Sequence, residues 1–172
     1  MAEDTERDVW IEQAIVQWEV PLLRTCFLLL GDAALAEDAV QETFVKAWKA
    51  FESYRGETSE KNWLMRIAVN VCKDIRKSKW FIHINRWVST DELPEPAAAF
   101  VLPDDTVITA ILSLPEKLRR VIILRYYSDM TIDEIAGVTG SSRRTVQYRL
   151  EKSKAVLKQK LEGWYFDEQQ HS

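Results

Sequence analysis

The sequence predicts an all-α protein made of two small helical domains joined by an acidic, flexible linker. Three observations carry that expectation. Glycine and proline number only five each among 172 residues, and long stretches lack both, which favours helices over sheets. Apolar residues recur at helical spacing in both halves of the chain. Between them, from Asn85 to Asp105, the character changes: Asp91, Glu92, Pro94, Glu95, Pro96, Pro103, Asp104 and Asp105 crowd one stretch. Acidic residues punctuated by proline read as a linker. The domains are therefore expected at 8–84 and 106–162, with the linker at 85–105.

The elements follow in order. Asp8 to Leu30 is expected to be helical, with Val9, Ile11, Ala14, Ile15 and Trp18 as its apolar positions and Pro21 as a kink or restart point. Gly31 and Asp32 form a break. Leu35 to Phe51 is a second helix, Gly56 marks a loop, and Thr58 or Ser59 can cap a third helix running to Lys79. In the second half, Thr106 to Leu114 resumes helical periodicity. Pro115 suits the first turn of a helix reaching Tyr127. Thr131-Ile132-Asp133-Glu134 is a capping box that starts a short helix, expected to end near Gly137. A basic helix from Ser142 to Leu161 follows. The tail from Gly163 carries no clear structural signal.

Net charge is −4, but its distribution is more informative. Residues 1–45 hold two basic and ten acidic side chains, 46–90 ten and four, 91–140 four and nine, and 141–172 seven and four. Two basic blocks alternating with two acidic ones suggest two separate polyanion contacts, with acidic surfaces left for other partners. No basic-then-apolar leader and no membrane-length apolar run is visible, so a cytoplasmic location without membrane insertion is expected. Cys26 and Cys72 each lie in an apolar helical pattern and read as buried, reduced thiols. With His83 and His171 they make no metal-ligand spacing. No nucleophile–base set, metal cluster or phosphate loop appears, so neither an enzyme nor a cofactor is expected.

Residues 131–157 fit a helix-turn-helix. Ala136 is small where two helices cross, and Gly140 stands in the turn, where a positive φ is often required. Val146 and Leu150 turn the second helix inward, and Leu157 and Leu161 continue that stripe. The opposite side carries Arg144, Gln147, Tyr148, Glu151 and Lys152, flanked by Arg143, Arg149 and Lys154. Guanidinium and amide groups can pair with base edges while flanking cations neutralise phosphate. A solvated basic helix in an ordinary bundle would show the same charge run without the capping box and the Ala–Gly–Val spacing.

In the first half, Leu64, Ile67, Ala68, Val71 and Ile75 are expected to face inward, while Trp63, Arg66, Asn70, Lys73 and Lys77 share another face. An aromatic ring, an amide and three cations in one stripe suit single-stranded or melted DNA. A half-buried Trp63 with snorkelling cations is the structural alternative. In the helix before it, Ala36, Val40, Phe44, Ala47 and Phe51 form the core stripe. Asp38, Gln41, Glu42 and Lys49 lie opposite, with Val45 among them, a mixed surface suited to docking a protein.

Together these segments resemble the extracytoplasmic-function sigma factors, group IV of the sigma-70 family of bacterial RNA polymerase. The matching residues are Asp38-Ala-Val-Gln-Glu-Thr-Phe44 through Trp48, Tyr54-Arg-Gly56, and Trp63-Leu-Met-Arg-Ile-Ala-Val-Asn70. In the second half they are Leu114-Pro-Glu116, Arg119, Leu124-Arg125, Thr131-Ile-Asp-Glu-Ile-Ala136, and Thr145-Val146 with Arg149. The resemblance implies a region 2-like bundle followed by a region 4-like helix-turn-helix. The first would bind the β′ clamp of core polymerase through Asp38, Gln41, Glu42, Phe44, Val45 and Trp48. It would also open the −10 element and capture a flipped base, with Asn70 as reader beside Trp63, Arg66, Lys73 and Lys77. The second would dock on the β flap and read the −35 element through Arg143, Arg144, Thr145, Gln147, Tyr148, Arg149, Lys152 and Lys154. An anti-sigma factor, often membrane-anchored, would hold the protein silent until an envelope or extracellular stress signal. Gln147 stands where the family often has a basic residue and Arg144 where it often has a small one. Glu151 also faces the same way; these departures bear on which promoter sequence is read, not on the function.

Two other readings stay open at this level. A stand-alone helix-turn-helix regulator would bind duplex DNA by itself in a salt-sensitive way, but would leave the Trp63–Asn70 stripe without a purpose. A helical adaptor that binds only proteins would tolerate loss of Arg144 and Lys152. Trp80, Phe81 and Trp87, just before the linker, are expected to pack on the second domain or on a regulator in an inactive state.

Overall fold

A computed structural model describes residues 2–78 and 105–161 of the chain. The expected linker, Trp80, Phe81, Trp87, both histidines and the tail lie outside those residues, apart from Asp105 at the linker's edge. The described residues form helices only, in two separately packed units divided between Val101 and Leu102.

The first unit is a three-helix bundle of α1 (Ala2–Leu30), α2 (Ala33–Lys49) and α3 (Glu60–Lys77), with a 3₁₀ turn at Phe51–Ser53. Helix α1 begins six residues before its expected start and runs through Pro21 without a break. The ring of Pro21 is exposed, so the missing N–H leaves only a solvent-side carbonyl unserved, and Thr25 Oγ1 donates to Pro21 O at 3.1 Å. After Leu22 the helix sinks into the core, and every residue from Thr25 to Leu30 is buried. Gly31, at φ +72°, ends it, with its N–H on Phe27 O at 2.7 Å. Arg76 of α3 reaches across to donate to Leu29 O at 2.8 Å, a cation at a helix C-terminus.

Asp32 caps α2 by accepting from Leu35 N at 2.8 Å, and Ser59 caps α3 by accepting from Asn62 N at 3.2 Å. The inward face of α3 is rotated from the expected stripe. Leu64, Met65, Ala68, Val69, Val71 and Cys72 are buried, whereas Ile67 and Ile75 are only half-buried. Both α1 and α2 pack on α3, so two of its sides are covered and a single 100° stripe underestimates the buried arc. Cys26 and Cys72 are free thiols in this core. The hydrogen bond with Cys72, then burial, holds the Cys26 thiol well above its usual range and keeps it protonated.

The second unit holds α4 (Asp105–Leu112), α5 (Glu116–Tyr126), α6 (Ile132–Thr139) and α7 (Arg143–Lys160). Its core joins Ile108, Ile111, Leu114, Val121, Ile122, Leu124, Met130, Ile135, Val146 and Leu157. Arg119 is buried, and its guanidinium donates to Leu112 O and to Leu114 O, satisfying carbonyls left open where α4 ends. The turn between α5 and α6 is closed by Arg125 Nη1 on Met130 O at 3.0 Å, with Asp129 at φ +51°. Helix α6 runs one turn-fraction past its expected end: Gly137 lies inside it, and Gly140, at φ +63°, stops it. Glycine within a helix costs about 1 kcal/mol, which packing of Ile135 and Val138 overrides.

Candidate nucleic-acid and protein interfaces

In the second unit, local chemistry fixes the helix-turn-helix. Thr131 Oγ1 accepts from Glu134 N at 3.2 Å, and Glu134 Oε2 accepts from Thr131 N at 2.7 Å, so both arms of the capping box are made. Ser142 Oγ caps α7 by accepting from Thr145 N at 3.1 Å and lies 2.8 Å from Thr145 Oγ1. Val146, Leu150, Ser153 and Leu157 are buried. Ser153 Oγ sits 3.1 Å from Leu118 O and 2.6 Å from Arg149 O, tying α7 to α5 through its one proton.

This anchoring sorts the eight expected DNA-facing residues. Arg144, Gln147, Tyr148 and Lys152 are exposed on one side, and the Lys152 ammonium lies 5.9 Å from the Tyr148 ring centre. Glu151 shares that side, as do Ala155 and Lys158, which continue the surface by another turn. Arg143 is exposed but its Nη1 engages both oxygens of Asp133, at 3.0 and 2.9 Å. With both partners largely in solvent, the pair is worth at most about 1 kcal/mol and can be exchanged for a phosphate. Thr145 is half-buried as part of the cap. Arg149 is half-buried, donating to Ser141 Oγ at 3.1 Å, and Lys154 is half-buried too.

In the first unit, Arg66, Asn70, Lys73 and Lys77 are all exposed and fall within about 60° of one another around α3. The stripe is about 16 Å long at 1.5 Å per residue. Trp63 stands at its edge but is half-buried. Its ring stacks on Tyr54 (centroids 4.8 Å apart, planes at 28°) and meets Trp10 at 5.9 Å, and Trp10 meets Phe51 at 5.0 Å. Trp63 is thus held in an aromatic cluster with only part of its surface available. Beside it, Ser53, Tyr54, Arg55, Glu57, Thr58, Trp63 and Arg66 line an open cavity of about 370 Å³. Sequence patterning missed this cavity, because its walls come from a loop without periodicity. The Tyr54-Arg-Gly56 run was its one visible signal.

On α2, Asp38, Gln41, Glu42 and Val45 are exposed together, Val45 at 45%. Phe44 is buried, so it supports this face from beneath. Trp48 is half-buried: its Nε1 donates to Asp8 at 2.8 Å, and the Arg7 guanidinium lies 3.8 Å from its ring centre. Between α2 and α3 runs a groove of about 470 Å³ whose rim includes Asp38, Glu42, Lys46 and Asp74 and whose floor includes Leu35, Val71 and Ile75. The half-burial of Ile75, unexpected on an inward stripe, is explained by its place in this groove.

Among the described residues, no helix is long and apolar enough to cross a membrane. Nor does any cluster of three or more His, Cys, Asp or Glu side chains there offer a metal site.

Two family models match the chain, sigma-70 region 2 over residues 15–82 and sigma-70 region 4 over residues 104–157. The chain is 30% identical over 154 residues to the ECF RNA polymerase sigma factor SigW of Bacillus subtilis, covering 81% of this chain and 82% of that one. Its fold is similar to that of the sigma factor RpoE solved with the anti-sigma factor NepR from Bartonella quintana. That match has a TM-score of 0.74 and 24% identity, covering 90% of this chain and 98% of that one. It is also similar to CnrH solved with the cytosolic domain of CnrY, with a TM-score of 0.64 and 23% identity, covering 87% and 85%. The chain belongs to the sigma-70 family, in its extracytoplasmic-function group, and is a promoter-directing initiation factor for bacterial RNA polymerase.

Proposed function

We propose a division of labour between the exposed faces just described. The α2 face, Asp38, Gln41, Glu42 and Val45, docks the β′ clamp of core polymerase, with Phe44 and Trp48 holding its shape. The α3 stripe follows the −10 element as it opens: Arg66, Lys73 and Lys77 track phosphates, and Asn70 reads an extruded base beside the Tyr54–Trp63 cavity. The second unit docks on the β flap and lays α7 into the major groove at the −35 element. There Arg144, Gln147, Tyr148 and Lys152 lie against bases, and Arg143, Arg149 and Lys154 lie toward the backbone. The chain works in the bacterial cytoplasm and carries no catalytic group; polymerase does the chemistry. An anti-sigma factor holds it silent, a reading supported by the similar folds of RpoE, solved with the anti-sigma factor NepR, and CnrH, solved with the cytosolic domain of CnrY.

The observation that carries this reading is the position of Asn70. It is an exposed amide at the centre of a cation stripe, about one helical turn beyond Arg66, which lines the aromatic-walled cavity, on a helix whose opposite side is buried. Ordinary surface solvation needs no such grouping. Run-off transcription with sigma-free core polymerase and a genomic-fragment library tests it. Discrete transcripts that require the protein are expected. Absence of transcripts together with absence of binding to core polymerase would refute it in favour of a stand-alone regulator.

A further inference from the structure

We propose that Glu60 is a positioning residue for strand opening. It holds the aromatic wall of the loop cavity in place from outside that cavity. This inference rests on the reading of the α3 stripe as the promoter-melting surface.

Glu60 is the first residue of α3 and is half-buried. A carboxylate there is usually accounted for by the helix dipole and the free N–H groups of the first turn. Here both oxygens are otherwise engaged. Oε2 accepts from Trp10 Nε1 at 2.8 Å and Oε1 accepts from Trp18 Nε1 at 2.6 Å, across 50 and 42 residues of sequence. Bonds from neutral donors to a partly desolvated carboxylate are among the stronger hydrogen bonds a protein makes. One side chain therefore fixes two indoles, about 12 Å apart along α1, to the start of α3.

The restraint passes on through ring contacts. Trp10 packs on Phe51 and on Trp63, and Trp63 stacks on Tyr54, whose hydroxyl donates to Thr58 O at 2.7 Å. Tyr54, Thr58 and Trp63 are walls of the cavity that also holds Arg55 and Arg66. The loop is thus held at both ends: Ser59 and Glu60 at one, the Tyr54–Trp63 stack at the other. A base leaving the duplex needs a wall that is already in place, because ordering it during opening would add to the cost of unstacking.

The discriminating variant is Glu60→Gln. It keeps shape and length but has one acceptor oxygen and an NH₂ group that opposes the second indole N–H. Full-length protein on core polymerase is compared on one promoter presented as duplex and as the same promoter pre-opened at the −10 element. Open-complex formation by Glu60→Gln should fall about tenfold on the duplex and return to within about twofold of wild type on the pre-opened template. Affinity for core polymerase should not change. Trp10→Phe, which keeps a ring but removes the N–H, should give the same split, and the double variant should be no worse than the worse single one. Should Glu60→Gln fail to fold, Trp10→Phe alone carries the comparison. Equal losses on both templates would overturn the proposal, because they mark a general structural role, and wild-type behaviour on the duplex would overturn it too. If the wild-type protein itself opens no promoter, the underlying reading fails, and with it this inference. If wild type opens the duplex and Glu60→Gln does so equally well, only the role of Glu60 is lost.

Discussion

Gly137 and Gly140 lie three residues apart, and alanine should have opposite effects at the two positions. A Cβ placed on either meets nothing within 4 Å, so steric packing drops out and only backbone conformation remains. Gly137 is inside α6, where alanine is better than glycine by about 0.8–1 kcal/mol. Gly140 has φ +63°, the left-handed region, where a Cβ costs about 1–2 kcal/mol. Gly137→Ala should therefore stabilise the second unit and Gly140→Ala destabilise it, leaving the two variants about 2–3 kcal/mol apart. Asparagine at 140 should recover part of the loss, since its side chain tolerates that conformation. Hydrogen exchange of α6 and α7 amides in the full chain reads the second unit by itself, and protection should change about tenfold per 1.4 kcal/mol. A neutral Gly140→Ala, or loss of protection in Gly137→Ala, would refute the assignment of the helix end to Gly140.

Other consequences are equally direct. Asn70→Ala should weaken duplex opening and discrimination at the −10 element while leaving binding to core polymerase intact; unfolding of this variant would instead mark Asn70 as structural. Arg144→Ala and Lys152→Ala should each weaken −35 engagement by about 1–3 kcal/mol if they touch base edges, measured as holoenzyme affinity for promoters varied at that element. Cys26 adds a pH dependence. Its pKa is raised on folding, so the unfolded chain ionises first. The stability it contributes is complete below the ordinary thiol value of 9.0 and is lost as pH rises above it through the native value. Denaturant midpoints between about pH 8 and about pH 10 should therefore fall more steeply in wild type than in Cys26→Ala.

What the sequence disclosed follows the range of the interactions involved. The capping box at Thr131, the cap at Ser59, one of the two residues expected to serve there, and the turn glycine at 140 are local. Each is complete within four residues, and each is found where residue chemistry placed it. The exposed stripe of α3 was legible for the same reason, since four residues at helical spacing need no partner to define them. Four features were hidden. Pro21 reads as a breaker, but its ring faces solvent and the helix continues. Met65 and Val69 are buried because a second helix covers another side of α3, which periodicity cannot reveal. The partners of Trp10, Trp18 and Trp48 lie 40 or more residues away, and no local pattern pairs an indole with a carboxylate at that distance. Likewise, nothing near Arg143 shows that Asp133 will occupy it, because the turn at Gly140 brings them together.

Helix α7 keeps its two duties on separate sides. Val146, Leu150, Ser153 and Leu157 hold it, and the Ser153 contact with Leu118 O fixes its rotation about its own axis. Arg144, Gln147, Tyr148 and Glu151 take no part in that anchoring and stand in solvent. Surface side chains of this kind change stability by no more than about 0.5 kcal/mol when replaced. On the proposed reading of α7 as the −35 helix, the promoter it prefers can therefore be rewritten one letter at a time without the module that presents the letters having to be rebuilt.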